Sequence, residues 1–163
     1  MKLILLTIIA AILLTSCSED KSVNTDKEAV KLTLENVKTY PGFIEFESTY
    51  SLYDLDNNYI DSINSVITAE DKVYIYLKPD CSCTASYKTF PSLIKTIDSS
   101  GISYDNVNIY MMESEQNPYP ESDFIEINDL PRFYIMSGGL VTDITETSDT
   151  ITIEKNIYNA IKK

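Results

Sequence analysis

Histidine and tryptophan are both absent from the 163-residue sequence. Without histidine there is no imidazole general base, no Ser-His-Asp triad and no His-ligated zinc. Cations are scarce: 13 Lys and Arg stand against 25 Asp and Glu, a formal net charge of −12. That balance excludes a surface that tracks nucleic-acid phosphates, and a basic patch that grips anionic lipid. Internal repeats are missing too. What is abundant is tyrosine, with 12 residues, in a chain whose 44% hydrophobic content is ordinary for a folded domain. Tyrosine at that level implies a core and surface rich in amphipathic rings, without naming a function.

There are only three cysteines. The first closes a leader, MKLILLTIIAAILLTSC, in which Lys2 precedes an apolar run from Leu3 to Leu14. That run suits a signal-peptide hydrophobic region and is too short to span a bilayer. Leu14-Thr15-Ser16-Cys17 resembles a bacterial lipobox, the alternative being a plain cleaved signal with a coincidental cysteine. The resemblance implies a signal peptide over 1–16, then Cys17 as a lipidated N-terminus with diacylglycerol on sulfur and a palmitate-type N-acyl chain. Such chains exceed the two-signal requirement for stable anchoring. Ser18, where an aspartate would favour inner-membrane retention, leans toward the outer membrane. Glu19-Asp20 resembles surface-export signals of some Gram-negative lipoproteins, so periplasmic face and cell surface both stay open. Residues 17–27 read as a flexible tether and 28–163 as one domain.

Setting Cys17 aside leaves Cys81 and Cys83, in KPDCSCTASYKTFP, each with no other intramolecular partner. The compartment permits a disulfide.

Alternation over 29–37 predicts a strand, over 43–48 a second, and SLYDLDNNYIDS (51–62) a strand, Asp-Asn-Asn turn and strand. DKVYIYLK (71–78) has the pattern of a buried central strand. Ala85, Phe90, Ile94 and Ile97 recur at helical spacing up to Ser99-Ser100-Gly101, with Pro91 expected to kink that helix. Residues 106–112 read as a buried strand, 117–124 as a loop, and 131–136 with 140–144 as a hairpin. Ile153, Ile157 and Ile161 mark a C-terminal amphipathic helix. A strand, crossover helix and parallel strand, then a hairpin and a covering helix, make an α/β fold.

This order, with the cysteines between first strand and first helix, resembles the thioredoxin fold. Pro91 matches the helix-bending proline of that family, and INDLPRFYIMSGGLV (127–141) resembles its cis-proline loop and hairpin, with Pro131 as the cis-proline. Residues 48–66, followed by DKVYIYL (71–77), resemble the N-terminal hairpin of TlpA-like thiol-disulfide oxidoreductases. The resemblance implies a mixed sheet flanked by helices with an N-terminal β-hairpin extension. It also implies a membrane-tethered enzyme acting on extracytoplasmic protein thiols or disulfides through Cys81, Cys83 and Pro131, without cofactor, metal or nucleic acid. The family's Cys-x-x-Cys is replaced here by Cys-x-Cys after Asp80. Counting from the strand makes Cys81 the attacking residue; counting eight back from Pro91 selects Cys83, followed by Thr84-Ala85-Ser86 in a Cys-x-x-Ser pattern.

A helix N-terminus stabilises a thiolate, whereas Asp80 opposes one and Lys78 and Lys88 offset Asp80 in part. A bridge between residues two apart requires a distorted local backbone, which makes it more oxidising. Two other readings stand beside exchange. One is a redox-inactive thioredoxin-like binding lipoprotein. The other is Cu(I) delivery by two thiolates. Asp54–Asn58 starts like a calcium loop, but Tyr59 and Ser65 occupy its glycine and glutamate positions, so it is read as a hairpin turn.

Overall fold

The unbroken run KVYIYL forms β2 (Lys72–Leu77), and five of its six residues are buried, because β-branched and aromatic side chains fill both sides of a central strand. The computed structural model describes residues 27–162 except Ser82 and Asp149; the leader, Cys17 and tether residues 18–26 lie outside the described residues. Around β2, the strands β1 (Val30–Leu32), β3 (Val107–Met111), β4 (Arg132–Ser137) and β5 (Leu140–Asp143) build a sheet of order β1-β3-β2-β4-β5. β2 and β3 run parallel, with Ile75 opposite Ile109. The other three pairings are antiparallel. Val30 stands opposite Met111 and Tyr76 opposite Arg132, so β1 starts, β2 ends and β4 starts at one end of the sheet.

The chain before β2 is helical where alternation predicts strands. Helices α1 (Leu34–Val37), α2 (Phe46–Leu52) and α3 (Asn57–Val66) replace the second half of the first strand, the 43–48 strand and the 51–62 hairpin. The N-terminal β-hairpin extension is therefore absent. The apolar residues that matter are Phe43, at the end of a 3₁₀ turn, and Phe46 and Tyr50, four apart on α2, while Ile44, which completes the apparent alternation, is 83% exposed. Asp56 is a helix cap rather than a turn residue: its carboxylate accepts the Asn58 N–H at 3.0 Å. Thr33 caps α1 in the same way.

Downstream, α4 (Phe90–Ser99) and α5 (Ile153–Ile161) form over the segments whose spacing predicts them. Thr152 caps α5 by accepting the Lys155 N–H, and Ile153, Ile157 and Ile161 are buried. The helices cover one face of the sheet. Val73, Ile75, Leu77, Phe133 and Ile135 pack there against Phe90, Ile94, Ile97, Ile157 and Phe46. No helix covers the opposite face among the described residues. Residues 112–131 lie across it as an irregular segment, whose Ile125, Ile127 and Tyr119 pack on Tyr74, Tyr76, Tyr110 and Tyr134. Glu121 accepts hydrogen bonds from Tyr76 (3.0 Å) and Tyr110 (2.8 Å), whose rings stack at 5.4 Å. That satisfies hydroxyls which burial would otherwise leave unpaired. Among the described residues no helix is long and apolar enough to cross a membrane.

Candidate functional site

β2 ends at Leu77, and Lys78-Pro79-Asp80 turn the chain so that the Cys81 N–H faces the Lys78 carbonyl at 3.4 Å. Both cysteines are half-buried. They are joined as a disulfide, with Cα atoms 5.2 Å apart.

Helix begins immediately after. The Cys83 carbonyl accepts the N–H groups of Ser86 (3.0 Å) and Tyr87 (3.2 Å), so Cys83 occupies the capping position of the segment that continues into α4. Its Sγ lies 3.4 Å from Ser86 Oγ, and since a bridged sulfur carries no proton, the buried hydroxyl is the donor. A sulfur in that place meets the positive end of the helix and a fixed hydroxyl, both of which stabilise negative charge. Cys81 precedes the helix and has neither advantage. Of the two countings open in the sequence, the helix start favours Cys83.

Pro91 leaves its mark one turn back. It has no N–H for the carbonyl of Tyr87, and the preceding turn widens into a π-turn over Ala85–Thr89 in which Phe90 N–H donates to the Ala85 carbonyl. The expected disruption is thus a register change that begins two residues after Cys83.

Pro131 is buried, and the Leu130–Pro131 bond is cis. It immediately precedes Arg132, the partner of Tyr76, so it enters the sheet at the end from which the cysteine loop leaves. Arg132 is held there by Asp129, by Asp143 at 3.3 Å and by Glu146 at 3.4 Å. The Asp129 hydrogen bond, first among these contacts, pushes the already high guanidinium pKa further up. Its charge is fixed at any working pH.

A further residue meets the loop from far away in sequence. Gly42, in a 3₁₀ turn at Pro41–Phe43, donates its N–H to the Pro79 carbonyl at 3.1 Å. A Cβ at Gly42 would stand 2.7 Å from that oxygen and 3.4 Å from the backbone of Cys81. In the sequence Pro41-Gly42 reads only as a turn; its contact with residue 79 has no local signature. Among the described residues no group of three or more acidic or cysteine side chains is placed to hold a metal ion.

Neither family models, nor curated proteins, nor solved structures match this chain.

Proposed function

We propose that this domain has a thioredoxin-like fold and is a thiol-disulfide oxidoreductase, carried outside the cytosol on lipid attached to Cys17. Strand, crossover helix, parallel strand, hairpin and final helix follow one another as in that fold, with the cysteine pair and Pro131 at one end of the sheet. Two departures accompany this order: β1 runs antiparallel to β3, and residues 112–131 replace a helix on the second face.

The observation that carries the function is a half-exposed disulfide spanning a single residue, with one sulfur at a helix start. So short a ring removes little freedom from the unfolded chain, on the order of 1–2 kcal/mol in the loop-entropy treatment. A structural staple would close a longer loop.

In the reduced state the Cys83 thiolate attacks a partner disulfide, giving a mixed disulfide on Cys83 and releasing one partner thiolate. Cys81, once deprotonated, attacks Cys83 Sγ; the ring closes and the second partner thiolate departs. Two electrons pass from the pair to the partner. The same steps reversed oxidise a partner dithiol.

The test is trapping. With Cys81→Ser the mixed disulfide on Cys83 has no resolving thiol, and envelope proteins accumulate as adducts; with Cys83→Ser they do not. Absence of adducts from both variants rejects exchange and leaves a binding domain.

A further inference from the structure

A cleft of about 310 Å³ opens at Thr84, the residue after Cys83. Thr84, Lys88 and Ser92 line it along one face of the helical segment, Thr147 and Thr152 line the opposite wall, and the ring of Tyr53 adjoins them. Thr89 and Thr147 hydroxyls, 3.4 Å apart, join the two walls. Beneath, Tyr53 donates to the buried Glu154 at 2.8 Å.

The charge of the cleft is unlike that of the molecule. Carboxylates outnumber cations 25 to 13 in the chain. Four other clefts on the described residues each include at least one of them: Asp143, Asp71, Glu113 and Asp98 in turn. Among the described residues the cleft at Thr84 has no carboxylate in its lining, and it has Lys88. Lys27, Lys38 and Arg132 are all ion-paired, whereas the exposed Lys88 ammonium has no ion pair or hydrogen bond among the described residues. Hydroxyls that both donate and accept suit an extended polypeptide backbone, and an unpaired ammonium suits a carboxylate on it.

We propose that this cleft receives the acidic flank of the exchange partner, so that the site selects polypeptides with Asp or Glu two or three residues from the reacting cysteine. The inference rests on the exchange reading of the pair. Its spacing follows from helix geometry. Lys88 lies five residues beyond Cys83, about 7 Å along the axis at roughly 1.5 Å per residue. An extended partner covers that distance in two to three residues at about 3.3 Å each.

The test uses the oxidised full chain, ¹⁵N-labelled in detergent, titrated with three peptides in which serine replaces the reacting cysteine. They carry Glu, Gln or Lys at the third residue from that serine. The Glu peptide shifts amide signals over Thr84–Ser92 and Thr147–Thr152, the Gln peptide shifts them less, and the Lys peptide leaves them in place. Lys88→Glu reverses the order. Equal response to Glu and Lys peptides, or a preference unchanged by Lys88→Glu, overturns the proposal. No thiol takes part in this titration, so it reads the cleft even when exchange fails. Cysteine versions of the peptides then test the coupling: exchange with the Glu peptide runs about two- to fivefold faster than with the Lys peptide, the span of a partly exposed ion pair. Equal rates sever the cleft from the reaction. No exchange with any peptide rejects the redox reading, and the serine titration alone then decides what the cleft binds.

Discussion

Ser86 bears on Cys83 and Gly42 on the loop that carries Cys81. Ser86 presents a buried hydroxyl to Cys83 Sγ, so its loss leaves the thiolate to the helix start alone. Ser86→Ala should raise the Cys83 thiol pKa by about one unit, equivalent to about 1.4 kcal/mol, with the fold intact. Thiolate absorbance against pH in a Cys81→Ser background measures it, and an unchanged titration removes Ser86 from the site. Gly42 supports the loop by having no side chain. Gly42→Ala pushes a methyl into the Pro79 carbonyl, and an overpacked contact of this kind costs about 1–3 kcal/mol. Denaturant melts should show that loss, and the reduction potential of the pair should move with it, because the displaced backbone is that of the cysteine loop. A variant with lost stability and an unmoved potential would make Gly42 a packing residue only.

The elements that sequence patterns locate correctly are those where pattern and burial agree. β2, β3, the hairpin, α4 and α5 carry continuous apolar runs or isoleucines at clean helical spacing, and each lies where the sequence places it. The region before β2 misleads because its helices are short. Over so few residues Ile44 and Phe46, two apart, mimic alternation, and Asp56 serves caps and turns alike. Cys81, Cys83 and Pro131 are legible as candidate-site residues and Pro91 as the residue that disturbs the helix; Lys88 is visible, while its lack of a partner among the described residues is a tertiary fact. Nothing local announces that residues 112–131 must cover a face of tyrosines. That cover has a pH signature. Burial, ahead of any neighbouring charge, pushes Tyr134 up to about 12, and Tyr76 and Tyr110 rise for the same leading reason. A raised acid binds its proton more tightly when folded, so this stability is whole below pH 10 and declines as pH rises through 10 toward 12. Each tyrosine still protonated in the fold contributes a slope of about 1.4 kcal/mol per pH unit. Circular dichroism should therefore show a cooperative alkaline transition in that window, with tyrosinate absorbance appearing in the same step. Tyrosinate formed gradually below the transition would mean that the face is already open to water.

At the scale of the whole molecule the disulfide should matter little to folding. Reducing it should lower stability by no more than about 1–2 kcal/mol, a few degrees in melting temperature, because the ring it closes is so small. A loss several times larger would mark the bridge as structural and count against exchange. Cys17 makes a separate prediction: cells fed a labelled fatty acid should incorporate it into the wild-type chain and not into Cys17→Ala, which should leave the membrane fraction. The direction of β1 then acquires a practical meaning. Since Val30 lies beside Met111, and Lys27 shares a cleft with Pro79, whatever is attached ahead of residue 27 leaves the domain next to the cysteines. A fluorescent protein or affinity handle fused there would shade the bridged sulfurs, whereas the same handle after α5 stands about 13 Å further down a helix that starts at the Thr84 cleft.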